Sequence, residues 1–285
     1  MTTPLSLDAQ DDGLYYEDGV GPWVEDKHRL VSLYETLFST GMKRKWDTRV
    51  YIDLYSGPGM VRVRETGKFL WGSPLLALQV KDPFDRYIFC EKDSSALDAL
   101  KIRVQKFFPS ANVCYVCGDC NDKVEEICSK IPAPSRNSKV LSFCFVDPYD
   151  LSVKFSTIKT IAGRFVDFLT LLAFGMDGNR NLQHYLDPAN RKIDEFLGLS
   201  DWRDKWTEQL MRDRVTFPQF LAQSYAERMV SLKYLPVAFH QMKAIRSDKN
   251  LPLYHLALFS RHKLAYSYWD DVLKYSTSQT SLGFE

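Results

Sequence analysis

Apolar residues along the chain follow two alternating rhythms, short unbroken runs and longer runs at helical spacing. From Trp23 to about Thr40, Leu30, Leu33, Tyr34, Leu37 and Phe38 keep helical spacing, and Gly41 is placed to end that helix as its C-cap. Arg49 to Tyr55 then carries Val50, Ile52, Leu54 and Tyr55, the near-continuous apolar pattern of a strand covered on both faces. Further strands are predicted at Asp85–Cys90, Asn112–Cys117, Lys139–Val146 and Phe165–Phe174. Helices at about Ser73–Lys81, Ser94–Phe108, Asn121–Ile131 and Ser156–Ala162 separate them, with Ser73-Pro74 read as N-cap and first helical position. Five alternations of strand and helix predict an α/β fold, a parallel sheet with helices on both faces.

Past Phe174 the rhythm changes. Gly175 to Asn181 reads as a polar loop, and a helical insertion is expected over about 182–234. Val237–Arg246 and Leu253–His262, around Ser247–Asn250, predict a C-terminal antiparallel hairpin, followed by a helix or irregular tail at Tyr266–Tyr275. Residues 1–22 are polar and acidic and are expected to be flexible, ahead of a single domain over 23–285. Met60–Gly72, rich in Arg and Gly, looks like an inserted loop. Arg62, Arg64 and Lys68 there either meet an anionic substrate or decorate a solvated loop.

Composition adds limits rather than direction. With 45% hydrophobic residues in 285, the chain can bury a substantial core. Lys and Arg (37) nearly cancel Asp and Glu (36), so no global field favours nucleic acid or membrane. There is no apolar run long enough to cross a bilayer, and the acidic N-terminus lacks the pattern of a signal peptide, so a cytoplasmic location is expected. Cys114, Cys117 and Cys120 have a metal-like spacing, but an extended strand would put Cys114 and Cys117 on opposite faces. No metal site is expected.

Candidate chemistry gathers at the strand ends. Asp53 is a carboxylate inside an apolar strand, and burying it demands a specific partner. Gly57 and Gly59 follow, where the backbone can bend and approach a ligand. Glu91 ends the second strand, Asp119 follows the third, and Asp147-Pro148-Tyr149 follows the fourth. Ligands of open α/β sheets bind outside these carboxyl ends. Each acid alone also fits a cap or turn, Asp119 for instance at the start of the next helix. The third glycine of a dinucleotide loop is missing after Gly59, and no phosphate-binding Gly-x-x-x-x-Gly-Lys loop occurs.

Asp53-Leu-Tyr55-Ser-Gly57-Pro-Gly59 resembles motif I of class I S-adenosylmethionine-dependent methyltransferases. More of the chain resembles the three-Cys-motif partner protein (TcmP) family within that superfamily. The matching pieces are Lys27-His28, Tyr51 to Gly59, Gly72-Ser-Pro-Leu75, Val146-Asp-Pro-Tyr149, Met176 to Asn181, and Tyr254 to His262 with Trp269. The resemblance implies a Rossmann-like methyltransferase sheet with S-adenosylmethionine as cofactor. Glu91 and Asp119 would hold the nucleoside, and the Gly57–Gly59 backbone, with Tyr55, would line the methionine moiety. Asp53 would orient the loop and the cofactor's amino group, and Asp147, Pro148 and Tyr149 would form the catalytic motif. Arg62, Arg180 and Asn181 are the substrate candidates. This motif has one proline where amino-methylating enzymes carry two, so its ring stands one position early. Nucleic acid is the favoured substrate class, with small molecules and protein side chains left open. The alternative function is a non-catalytic partner that regulates a three-Cys-motif radical-SAM-like protein. A nicotinamide-dependent oxidoreductase fits the final hairpin less well.

Overall fold

The computed structural model describes residues 6–212 and 215–280. Residues 1–5 of the expected flexible segment, 213–214 of the expected insertion and 281–285 of the expected domain lie outside the described residues. The strands in chain order are β1 (Glu17–Val20), β2 (Thr48–Asp53), β3 (Met60–Val63), β4 (Phe69–Trp71), β5 (Arg86–Glu91), β6 (Val113–Cys117), β7 (Val140–Val146), β8 (Val166–Leu172), β9 (Lys243–Arg246) and β10 (Pro252–Phe259). The first helices are α1 (Trp23–Met42), α2 (Ser73–Leu78), α3 (Ser94–Phe107), α4 (Val124–Lys130) and α5 (Phe155–Ile161). They are followed by α6 (Leu182–Leu186), α7 (Lys192–Leu197), α8 (Trp202–Arg212), α9 (Phe217–Ser231) and α10 (Lys263–Thr280).

Seven strands hydrogen-bond in the order β6-β5-β2-β7-β8-β10-β9. β2 runs parallel to both β5 and β7, and β5 parallel to β6. β10 is antiparallel to β8 and to β9. With β2 between parallel neighbours and β10 reversed beside β8, this is an α/β, Rossmann-like sheet, mostly parallel and closed at one side by an antiparallel hairpin. The chain clusters into two compact units, 1–145 with 262–285, and 146–261.

In the first unit the buried face of α1 carries Tyr34 and Phe38, whose rings meet Phe143 of β7. Tyr51 of β2 joins the same cluster through Phe84, Tyr87 and Phe89. Burying each such ring contributes about 1.5–3 kcal/mol. Gly41 is not a cap: α1 continues to Met42, and a Cβ on Gly41 would sit 2.3 Å from the Tyr268 hydroxyl of α10. Its smallness admits α10, whose Trp269 packs edge-on against Tyr34. Ser73 is likewise inside α2, with Gly72 as the N-cap.

Met60–Gly72 is not a loop but a β-hairpin, and β1 completes it as a three-stranded sheet, β1-β3-β4. The polar residues of this stretch masked an inner face of Val61, Val63 and Leu70, which packs on Val20 and Val24. That sheet also changes the picture of the N-terminal segment. Besides β1, Asp8 bridges Leu70, and the Asp12 carboxylate accepts two hydrogen bonds from the fully buried Arg103 (2.8 and 2.7 Å). Residues 8–20 are thus tied to the fold where the composition had suggested a loose segment.

In the second unit, Phe155, Phe196, Tyr225 and Phe259 form one aromatic core. Trp202 and Trp206 pack with Phe217 and Phe220 in another. α9 opens with a capping box between Thr216 and Gln219. The expected polar loop after β8 begins as a π-helical turn at Phe174–Gly178. Gly175 is required there, since a Cβ would lie 2.0 Å from the Pro252 carbonyl oxygen.

Candidate functional site

The first unit holds the glycine loop and the acids nearest to it. Asp53 is the last residue of β2 and is fully buried. Its carboxylate accepts hydrogen bonds from the Ser73 hydroxyl (2.7 Å), the Tyr55 N–H (3.1 Å) and the Tyr51 hydroxyl (3.3 Å). Tyr51 reaches it because residues two apart on a strand share a face. Three donors answer the cost of burying this charge.

Glu35 of α1 belongs to the same buried cluster, and sequence reasoning missed it. It is fully buried, and neither carboxylate oxygen has a hydrogen-bond partner in good geometry. Burial pushes its pKa well above the ordinary value. The nearby Tyr51 hydroxyl acts against this, and the charge of Asp53 adds to it. The signal was present: Glu35 lies four residues after Val31 and three before Phe38, both on the buried face of α1.

The loop leaving β2 is fixed by its backbone. The Ser56 N–H donates to the Cys90 carbonyl (3.0 Å) and the Gly57 N–H to Glu91 Oε2 (2.8 Å). Glu91 Oε1 accepts from the Asp93 N–H (2.8 Å), so the carboxylate clasps two segments at once. Each carboxylate oxygen has a second lone pair and can accept a further hydrogen bond. The Pro58 carbonyl accepts from the Arg103 guanidinium (2.6 Å). Gly59 accepts from the Gly72 N–H (2.8 Å), and a Cβ on Gly72 would lie 3.0 Å from the Gly59 carbonyl carbon.

Gly57 and Gly59 both have positive φ, +58° and +79°. At Gly59 a side chain would meet Leu100 at 2.8 Å, whereas at Gly57 it would meet nothing within 4 Å. Gly57 therefore faces open space beside an acid with spare acceptor capacity. A nucleoside with adjacent hydroxyls fits that donor–acceptor set.

Asp119 does not cap α4, which begins at Val124. It accepts instead from the Asn121 N–H (2.9 Å) in its own turn. Burial raises its pKa, but that hydrogen bond and the Lys92 ammonium at 3.3 Å outweigh it and leave the carboxyl below its usual value. The Gly118 N–H donates to the Glu91 carbonyl (2.9 Å), joining the ends of β6 and β5. Cys120 is buried and lies against Tyr55, and burial pushes its thiol up to about 11. Among the described residues no group of three His, Cys, Asp or Glu side chains is arranged to hold a metal ion.

The three cations of the β3–β4 hairpin face acids of the chain itself. Arg62 lies 4.0 Å from Asp18, Arg64 3.7 Å from Glu65, and Lys68 2.8 Å from Asp8.

The second unit holds the remaining candidates. Asp147 is half-buried, Pro148 buried, and Tyr149 73% exposed, so its ring is open to stacking. Asp150 pairs with Lys192 (2.8 Å). Asp177, not singled out from the sequence, organises the turn after β8. It accepts from the Leu151 N–H (2.9 Å), the Asn181 amide (2.7 Å), Lys192 (2.9 Å) and the Tyr185 hydroxyl. Asn181 therefore anchors its own loop, while Arg180 is exposed.

No family model matches the chain, and no curated protein matches it. Solved structures do. A Legionella pneumophila protein, LPL1258, aligns over 87% of this chain and 90% of its own at 14% identity, with a TM-score of 0.47. A geranyl diphosphate methyltransferase, solved with GPP and sinefungin, aligns over 88% and 91% at 12% identity, with a TM-score of 0.43. The O-methyltransferase TomG of Streptomyces achromogenes, solved with SAM, aligns over 79% of both chains at 13% identity, with a TM-score of 0.42. The strand order and the hydrogen bonds of the glycine loop stand independently of these likenesses.

Proposed function

We propose that this protein is an S-adenosylmethionine-dependent methyltransferase and, on its motifs, a relative of the three-Cys-motif partner family. One observation carries the reading: a positive-φ glycine facing open space, its N–H held by the acid that ends the adjacent parallel strand. In this reading Glu91 accepts hydrogen bonds from the ribose hydroxyls with its spare lone pairs, and Asp119 lies on the adenine side. Gly57 and Gly59 let the backbone approach the methionine moiety, with Tyr55 flanking it. Asp53, held in place by its three donors, orients the loop and the cofactor's ammonium group.

The cofactor supplies an electrophilic methyl carbon on a sulfonium. Transfer to a nucleophile needs alignment and a dry site rather than a covalent residue. Asp147 accepts a hydrogen bond from the nucleophile and fixes its lone pair. Pro148 stiffens the turn, and the exposed Tyr149 ring stacks on or shapes the acceptor. Arg62, Arg180 and Asn181 are proposed substrate contacts, and nucleic acid is the proposed acceptor class. The experiment is calorimetric titration of the purified protein with S-adenosylmethionine, S-adenosylhomocysteine and NAD, followed by labelled methyl transfer to DNA, RNA and protein extracts. Binding of both sulfur cofactors and label in nucleic acid supports the proposal. Binding of NAD alone, or label in protein only, refutes it at the cofactor or at the substrate.

A further inference from the structure

The chain is nearly neutral overall, yet residues 228–269 carry seven Lys and Arg and one acid, Asp248. That acid is turned onto its own loop, accepting from the Lys249 N–H at 3.0 Å. Several cations elsewhere in the same unit find carboxylates: Arg191 and Arg203 pair with Asp194, and Lys192 with Asp150 and Asp177. On the β9–β10 hairpin the cations do not. Lys243, Arg246 and Lys249 make no ion pair among the described residues, and Arg246 and Lys249 are exposed. The Arg246 guanidinium donates to the Asn250 carbonyl (2.8 Å), which fixes its direction without neutralising it.

The hairpin's place in the unit matters as much as its charge. His255 of β10 pairs with Leu172, the last residue of β8, so the start of β10 and the turn 247–251 stand at the carboxyl end of β8. Gly175, just past that end, packs on the Pro252 carbonyl. Arg180, exposed and without an ion pair among the described residues, follows in the same segment. Arg246 and Lys249 thus stand at the end of the unit where strands of this fold present their ligands, and Arg180 lies on the segment that leaves β8 at that same end.

Edge strands often carry lysine to discourage pairing with other chains, and β9 is an edge strand. That accounts for Lys243, but not for Lys249 in the turn or Arg180 on a different segment. We propose that the β9–β10 hairpin with Arg180 is a docking surface for the phosphate backbone of a nucleic acid. The inference rests on the methyltransferase reading only for its purpose, to bring the acceptor strand to the site. The binding itself is separate.

The test uses the full chain and a labelled 20-nucleotide single-stranded RNA, measured by fluorescence anisotropy over a salt series. Two variants are compared, Lys243→Gln/Arg246→Gln/Lys249→Gln and Lys243→Glu/Arg246→Glu/Lys249→Glu. With three cations no longer there to neutralise phosphates, the first variant should weaken binding at least tenfold near 0.1 M salt and flatten the log–log salt slope by about 2. The reversed variant keeps a charged edge, so it should stay monodisperse and still lose RNA binding. S-adenosylhomocysteine titration of the same samples should be unchanged, because the glycine loop lies in the other unit. Wild-type protein that ignores the RNA, or variants that bind it as the wild type does, would overturn the proposal. So would wild-type affinity for polyglutamate equal to that for RNA. Loss of S-adenosylhomocysteine binding in the wild type, with RNA binding intact, would count against the cofactor reading and leave this surface standing.

Discussion

Replacing Glu91 with alanine removes the carboxylate that ties the glycine loop to the end of β5. In the ligand-free protein this deletes the hydrogen bonds from the Gly57 and Asp93 N–H groups, both 2.8 Å. Glu91 is half-buried, so water can reach the released N–H groups, and the stability cost should stay near 1 kcal/mol. The cost to the cofactor should be larger. Two ribose hydrogen bonds at about 0.5–1.5 kcal/mol each would weaken S-adenosylhomocysteine binding by about 5- to 150-fold. Glu91→Gln offers one carbonyl oxygen in place of two carboxylate oxygens, and should fall between the wild type and Glu91→Ala. Isothermal titration gives the affinities, and hydrogen exchange at Gly57 reports the release of the loop. An alanine variant with wild-type affinity would show that the ribose is held elsewhere. Faster exchange at Gly57 with unchanged affinity would make Glu91 a structural clasp alone.

Other perturbations separate the remaining parts. Asp147→Ala should leave S-adenosylhomocysteine affinity within about twofold and abolish methyl transfer; a parallel loss of binding would move Asp147 into the cofactor site. Gly72→Ala places a methyl group 3.0 Å from the Gly59 backbone, which cannot swing aside as a side chain could. It should weaken cofactor binding at least tenfold while the circular dichroism spectrum stays native, a shift of about 1.4 kcal/mol or more. Asp167 gives a pH test. Burial pushes its carboxyl up to about 7, with the Ser260 hydroxyl and Arg261 acting in the opposite direction. A pKa raised on folding favours the folded state fully below the unfolded value near 4, and that contribution fades as pH rises through about 7. Asp167→Asn mimics the neutral form, so its Tm should gain on the wild type between pH 5 and pH 8. A constant Tm difference across that range would mean Asp167 is ionised throughout.

Much of the parallel sheet was readable because strands covered on both faces write continuous apolar runs, as at Val140–Val146, where every residue is buried. The β1-β3-β4 sheet was not, since four- and three-residue strands among Arg62, Arg64 and Lys68 are too short to show alternation. At the site, Asp53, Gly57 and Glu91 stood out as polar or glycine residues at strand ends. Ser73 did not, because a serine before proline reads as a helix cap until Asp53 is seen to accept from it at 2.7 Å. Arg103 was hidden for a related reason. Its position on α3 looks like that of any surface arginine, and its partners Asp12 and Pro58 are distant in sequence.

The methyltransferase account stands or falls first on the glycine loop. Calorimetric titration of the wild-type protein with S-adenosylhomocysteine should give one site per chain at micromolar affinity, with no heat from NAD. A flat isotherm with S-adenosylhomocysteine and S-adenosylmethionine, or saturable binding of NAD, would contradict it.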